Sequence, residues 1–228
     1  AEDEDVCAAI AAGEVTGVYL GYPHFANPQA AAGISAHLQG LAPRPLFIAA
    51  DFESGPGYNC ADGCAHLPYL MGLGAIDDPE TTRCAAEITA RQASAMGINW
   101  LYSPCVDVNL CRDNPIIGIR SFGETEPLVT RMGRAFIQGC RDAGVLCTAK
   151  HFPGTGNTET DTHLGPARDL GDLEIWERST LPPFAALIEA GVPVVQVLMS
   201  ASDLNGGKGD HWDTHGDNFN RLKDRLLP

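Results

Sequence analysis

The sequence predicts an α/β fold built around parallel β-strands. Short apolar runs bounded by turn residues recur along the chain, and stretches with helix start and stop signals separate several of them. The runs are almost continuously apolar rather than alternating, which is typical of strands covered on both faces. Such repeated βα units form either an open doubly wound sheet or a (β/α) barrel.

Five runs are predicted to be strands: Gly17–Leu20, Pro45–Ala50, Ile98–Ser103, Val145–Ala149 and Val192–Met199. Their centres are about 45 residues apart on average, so the eight units of a complete barrel would need roughly 130 more residues after the fifth strand. The 228-residue sequence does not have that many left. A barrel here would therefore be incomplete.

Three helices are predicted from their termini. Asp78-Pro79 supplies an N-cap and an N1 proline for a helix that ends near Gly97. Thr125-Glu126-Pro127 opens a second helix that stops at Gly144. A third covers about 173–190 and is interrupted by Pro182-Pro183.

Composition excludes two classes of function. The chain has 15 basic and 29 acidic residues, a net charge of −14, and no basic stripe that would bind nucleic acid. No run approaches the roughly 18 apolar residues of a membrane span.

The acidic segment 1–5 has no signal-peptide pattern. Localisation stays open, with the cytoplasm slightly favoured over secretion after signal removal. Most of the eight cysteines are interpreted as buried free thiols, and Cys60 and Cys64 leave a local disulfide or metal pair open.

Two nucleotide-binding motifs are not supported. Gly72-Leu73-Gly74 lacks the third glycine of a dinucleotide-binding fingerprint and follows no clear strand. The glycines of 153–156 come after Lys150, whereas a P-loop lysine follows its glycines.

Polar residues lie just past the predicted strand ends. Asp51, Asp107 and Arg120 follow the second and third strands, and Lys150-His151 closes the fourth. Because parallel strands present their C-terminal ends on one face, these residues can converge on one ligand. Burying a Lys-His pair without partners is costly, which favours a functional role for it.

The segment 150–163, KHFPGTGNTETDTH, resembles the signature of glycoside hydrolase family 3 in its β-N-acetylhexosaminidase branch. Segments 45–55, 103–109 and 120–123 resemble further motifs of that family, in the family's order. The resemblance covers about 17–200. It implies a TIM-type (β/α) barrel, incomplete here, in a catalytic domain over 1–200 followed by a divergent tail over 201–228.

The resemblance also assigns roles to individual residues. Asp51 would accept hydrogen bonds from sugar hydroxyls, and Arg120, Lys150 and His151 would donate to them. His163 would be the general acid/base, paired with Asp161. The family needs no cofactor or metal. Thr155 departs from the family, which usually has a second histidine there, so loop positioning or pH dependence is expected to differ.

The carboxylate nucleophile of a retaining enzyme is not found in the sequence. From Ala201 onward the chain leaves the family pattern, and its tail weakly resembles a bacterial family related to sulfatases and alkaline phosphatases. His211, Asp213 and His215 alternate there and could face a metal, although a polar terminus is the favoured interpretation.

The predicted function is therefore removal of a terminal β-linked N-acetylglucosamine with retention, impaired if the nucleophile strand is absent. The carbohydrate substrate would be an amino-sugar glycoside or a cell-wall fragment, and neither nucleic acid nor membrane is an expected partner. The alternatives are a β-glucosidase, a non-hydrolytic sugar-binding remnant, and a metal-dependent phosphatase-like tail. Uncovered strand edges also predict self-association.

Overall fold

A computed structural model describes residues 4–60, 62–161 and 169–197 of the chain. It contains a five-stranded parallel sheet in which each strand pairs with the next along the chain. The strands curl into half of a barrel, as the sequence predicts. They are β1 (Gly17–Tyr19), β2 (Phe47–Ala50), β3 (Trp100–Leu101), β4 (Leu146–Phe152) and β5 (Val194–Val197).

Helices cover the outer face of this half-barrel. Ile48, Leu101 and Ala149 are directed outward and are fully buried among the apolar residues beneath the helices. The helices are α1 (Glu4–Ala11), α2 (Pro28–Leu41), α3 (Leu70–Ile76), α4 (Pro79–Ala95), α5 (Glu126–Asp142), α6 (Leu173–Ile175) and α7 (Leu181–Glu189). None of the described helices has the length and apolar character needed to cross a bilayer.

The inner face of the sheet carries aromatic side chains. Tyr19 and Tyr102 stack with ring centroids 5.6 Å apart, and Trp100 meets Tyr102 and Phe47 edge to face. Tyr19 and Phe47 are 49% and 48% exposed. Within the described residues, this face is therefore only partly covered.

The predicted starts of α4 and α5 are confirmed. The Asp78 carboxylate accepts hydrogen bonds from the backbone N–H groups of Glu80 and Thr81, which caps α4. Helix α5 begins at Glu126 with a proline in its first turn. The two helices pack so closely that a Cβ on Gly139 would lie 2.2 Å from the carbonyl oxygen of Arg83.

The third predicted helix differs in one detail. The interruption is a π-helical turn, Trp176–Thr180, between α6 and α7, and Pro182 and Pro183 lie in the first turn of α7. Proline lacks an N–H, and its ring clashes with the carbonyl four residues earlier in an α-helix. A wider turn relieves that clash while the chain keeps its helical direction.

All eight cysteines are free thiols, including Cys60 and Cys64. Five are buried, in agreement with their interpretation as core residues: Cys60, Cys105, Cys111, Cys140 and Cys147. The domain boundary at residue 200 stays a prediction, because 198–228 lie outside the described residues.

Candidate active site

Charged side chains converge where β2, β3 and β4 end. Asp51 follows β2 directly, Lys150 and His151 belong to the end of β4, and Arg120 closes a short 3₁₀ turn, Gly118–Arg120, after β3. The structure thus brings together the four residues expected to bind sugar. Two more acidic residues, Glu53 and Asp107, connect them.

Lys150 lies between the carboxylates of Asp51 and Glu53. Its side chain is 2% exposed, and its Nζ lies 2.5 Å from Asp51 Oδ1 and 2.7 Å from Glu53 Oε1. Burial alone would lower the pKa of Lys150, but the two carboxylates outweigh burial and raise that pKa. Lys150 is therefore a permanent cation with one N–H left for a third partner.

Glu53 joins Lys150 to Arg120. The Arg120 guanidinium donates from Nε and Nη2 to the two oxygens of Glu53, at 2.9 and 2.7 Å. Burial raises the pKa of Glu53, but these hydrogen bonds and the charge of Lys150 lower it to about 2. This two-point contact with a carboxylate fixes the plane of the Arg120 guanidinium.

His151 lies between Asp107 and Arg120. Its Nδ1 is 2.8 Å from Asp107 Oδ2, and its Nε2 is 3.2 Å from Arg120 Nη2. Arginine can only donate and an ionised carboxylate can only accept, so Nε2 is the acceptor and Nδ1 carries the proton. His151 is therefore a neutral imidazole whose two nitrogens already have protein partners.

Asp107 is fully buried and organises the end of β4. It accepts from the backbone N–H groups of His151 and Thr155, at 3.0 and 2.6 Å, and from the Cys105 thiol at 3.1 Å. Burial raises the pKa of Asp107, but the contact with His151 and the Thr155 hydrogen bond lower it to about 2. Asp107 is thus ionised, and it fixes both the imidazole and the start of the following loop.

That loop, residues 153–161, leads toward the expected acid/base pair. Asn114 donates to the carbonyl oxygens of Thr155 and Thr158, at 2.6 and 3.0 Å, and the Trp176 indole donates to the Pro153 carbonyl at 2.8 Å. The Thr155 hydroxyl donates to Asp107 at 3.2 Å. Thr155, which stands where the family usually has a histidine, therefore helps to hold the loop through its hydroxyl.

Asp161 is described and partly buried, and it has a polar partner. His163 lies outside the described residues. The pairing of Asp161 with His163 therefore stays a prediction.

Sequence reasoning omitted two residues from the site. In the sequence, Asp107 stands at a strand end with no predicted role, and Glu53 is only one residue of the motif at 45–55. Their partners are far along the chain: Glu53 pairs with Arg120 67 residues later, and Asp107 with His151 44 residues later. A signal for Glu53 was present in its two-residue separation from Asp51, which puts both carboxylates in the same strand-end segment.

One group in the described part of the chain has the composition of a metal site. The ligand atoms of Cys105, Asp107 and His151 all lie within 4.8 Å of one another and are buried. Their hydrogen bonds already account for these polar atoms, and moving the imidazole proton to Nε2 would turn an N–H toward Arg120. The trio is therefore better explained as a hydrogen-bonded support. The alternating residues His211, Asp213 and His215 lie outside the described residues.

Comparison with known proteins decides the family. Residues 1–215 match the model of the "Glycosyl hydrolase family 3 N terminal domain". The chain belongs to glycosyl hydrolase family 3. A protein from Xylella fastidiosa (strain M12) described as a β-hexosaminidase is 36% identical over 208 residues, which are 87% of this chain and 62% of that relative. The chain thus spans less than two thirds of the length of such a relative.

Two further relatives are informative. A Cellulomonas fimi protein described as a β-N-acetylglucosaminidase/β-glucosidase is 36% identical over 73% of this chain and 29% of its own length. The solved family 3 β-N-acetylglucosaminidase from Paenibacillus sp. str. FPU-7 superimposes with a TM-score of 0.81 at 36% identity, over 86% of this chain and 39% of that one. The family resemblance and the barrel fold predicted from the sequence are both confirmed.

Proposed function

We propose that the protein is a retaining exo-acting glycoside hydrolase that removes terminal β-linked N-acetylglucosamine. The observation that carries this proposal is the convergence of Asp51, Lys150 and Arg120 at the strand ends of a family 3 half-barrel. Relatives described as β-hexosaminidase and β-N-acetylglucosaminidase support the choice of sugar.

The arrangement suits a neutral polyol. Asp51 is the exposed acceptor of the group, with a side chain 42% exposed, while its Oδ1 holds Lys150. Its second oxygen can accept from a sugar hydroxyl. Lys150 and Arg120 each keep an N–H beyond those that donate to the contacts described above and to the Ile116 carbonyl. Because His151 is engaged at both nitrogens, we propose that it acts on sugar by orienting Arg120.

His163 is the proposed general acid/base. An imidazole with a pKa near 6.5 can protonate the leaving oxygen and then deprotonate water, and Asp161 would select its tautomer. The proposed nucleophile is a carboxylate that forms the glycosyl-enzyme intermediate. Asp107 and Glu53 are poor candidates, because their oxygens already accept several hydrogen bonds.

The test is the substitution His163→Ala, assayed on an aryl N-acetylglucosaminide. General acid/base catalysis contributes about 10²–10⁴-fold, so kcat should fall by that factor while sugar affinity changes little. His37→Ala, on helix α2, is the matched control and should leave both quantities unchanged. A His163→Ala enzyme with wild-type turnover would refute the acid/base assignment.

β-Glucosidase activity is the second candidate, favoured by the description of the Cellulomonas fimi relative. Parallel assays on the aryl glucoside and the aryl N-acetylglucosaminide separate the two specificities. A sugar-binding remnant is separated from both by a fluorinated sugar that keeps the substituent on C2 and traps the nucleophile: the enzyme gains the mass of the glycosyl group, and a remnant does not.

A further inference from the structure

Four of the free cysteines form two neighbouring pairs outside the strand-end site. Cys60 and Cys64 stand four positions apart in the segment after β2, and Cys140 and Cys147 connect the last turns of α5 to β4. Burial and the hydrogen-bonded Cys60 thiol raise the pKa of Cys64 to about 11. A hydrogen bond with Cys147 and burial raise the pKa of Cys140. The two thiols of each pair are therefore close in space.

The turn that carries Cys60 and Cys64 is held together by its backbone. The Gly57 N–H donates to the Ala65 carbonyl at 3.1 Å, which joins the two ends of the turn. This approach is so close that a Cβ on Gly57 would lie 2.5 Å from the Ala65 oxygen. The Cys60 sulfur lies over the turn, 4.0 Å from the carbonyl oxygen of Asp62. The fold thus holds the two thiols together without a covalent bond between them.

Exposure distinguishes the two pairs. Cys60 is fully buried, but Cys64 is partly exposed to solvent. Cys140 and Cys147 are 0% and 2% exposed. Thiol–disulfide exchange begins when a thiolate attacks a sulfur of another disulfide, so one thiol of a pair must be accessible to the reagent. Cys64 meets that condition, and neither thiol of the other pair is comparably exposed.

We propose that Cys60 and Cys64 are a redox-active pair, which closes to a disulfide by exchange with a low-molecular-weight disulfide such as oxidised glutathione. The Cys64 thiolate attacks one sulfur of the reagent, forms a mixed disulfide and releases one glutathione thiolate. The Cys60 thiol then loses its proton and attacks the Cys64 sulfur, which releases the second glutathione. The protein loses two electrons and two protons, and the reagent is reduced to two thiols.

The disulfide would close the turn that follows part of the strand-end site. The segment after β2 begins with Glu53, whose carboxylate holds Lys150 and Arg120. The Leu67 N–H returns to this segment and donates to the Ser54 carbonyl at 3.3 Å. No step of the exchange uses the residues proposed to bind sugar, so the disulfide and the proposed function can fail separately.

The test incubates the reduced whole chain in a glutathione redox buffer at about pH 8.5 until the disulfide content is constant. The attacking thiolate is scarce at neutral pH when the pKa of Cys64 is about 11, so the higher pH shortens the experiment. Free thiols are then alkylated in denaturant, and the peptides are mapped by mass spectrometry. The Cys60–Cys64 disulfide should exceed the mixed disulfide at Cys64 by about tenfold or more, because the second thiol is already in place.

Two variants identify the thiols. Cys64→Ser replaces a partly exposed side chain, so it should fold normally and form no disulfide with Cys60. Cys84→Ser removes an exposed cysteine from α4 and is the matched control, in which the Cys60–Cys64 disulfide should form as in the wild type. A wild-type chain whose Cys64 stays a thiol or a mixed disulfide at equilibrium would overturn the proposal. Equal oxidation of Cys140 and Cys147 in the folded chain would also overturn it, because accessibility would then not select the pair.

Discussion

The substitution Glu53→Gln removes the carboxylate shared by Lys150 and Arg120. The side chain of Glu53 is 15% exposed and that of Lys150 is 2% exposed, so the two cations cannot gain much water in exchange. Removing one partner of a buried ion pair typically costs about 3–5 kcal/mol. Because Arg120 is 27% exposed and Lys150 keeps its contact with Asp51, we expect Glu53→Gln to lower the free energy of unfolding by about 3 kcal/mol.

The pKa of Glu53 leads to the same magnitude. Lowering that pKa from its ordinary value of 4.5 to about 2 corresponds to about 3 kcal/mol of unfolding free energy at neutral pH. The pKa is depressed in the folded state, so this stabilisation is fully present above pH 4.5 and is lost as the pH falls toward 2. The difference between wild type and Glu53→Gln should therefore shrink over that pH range.

Thermal and denaturant unfolding at pH 7 and at stepped pH values down to 3 measure this effect. At pH 7 the expected loss corresponds to a fall in Tm of about 6–12 °C for a chain of this size. Glu87→Gln is the matched control, because Glu87 also bridges two arginines, Arg83 and Arg91, but on the helix surface; its effect should be much smaller. Equal effects of the two substitutions, or a Glu53→Gln deficit that does not change with pH, would refute the reasoning.

Two further outcomes are expected from the packing. Gly139→Ala should destabilise the chain by about 3 kcal/mol in urea unfolding, because the new Cβ would overlap the Arg83 carbonyl between α4 and α5. Gly33→Ala in α2 is the control: its Cβ would meet nothing within 4 Å, so it should stabilise the chain by about 0.5–1 kcal/mol. A Gly139→Ala chain as stable as the wild type would contradict the helix contact. Within the described sheet, β1 and β5 each pair with only one neighbouring strand, and Tyr19 of β1 and Phe47 of β2 are exposed on its inner face. Sedimentation should therefore show association that increases with concentration, and a monodisperse monomer would argue against it.

The strands could be predicted because buried strands form short apolar runs in the sequence. The residues at which the strands begin and end could not be predicted in this way. The run at 45–50 begins as a strand only at Phe47, because Pro45 has no N–H to donate to a ladder and the Leu46 N–H donates to the Gln39 side chain. The run at 98–103 has only two ladder residues, Trp100 and Leu101. Apolar character shows that a residue is buried, whereas strand pairing depends on a neighbour elsewhere in the chain.

Helix α2 was not predicted, although its start carries the same signal as α4. The Asn27 side chain accepts from the Ala30 N–H at 2.8 Å, and Pro28 occupies the first turn, as Asp78 and Pro79 do in α4. Alanines and glycines dominate α2, so its apolar periodicity is weak. The cap signal was the stronger indication, and it would have located this helix.

The charges of the strand-end site favour the proposed glycoside over an anionic substrate. Asp51, Glu53 and Asp107 contribute −3, Lys150 and Arg120 contribute +2, and the neutral His151 adds nothing, so −3 + 2 leaves −1. Both cations are bound to carboxylates, and the most exposed charge is on Asp51. A phosphate or carboxylate would be repelled there, whereas the positive charge that develops on a sugar ring during glycoside hydrolysis would be stabilised. These contacts support the proposal that Arg120 and Lys150 donate to hydroxyls, because the protein supplies the counter-ions of both cations itself.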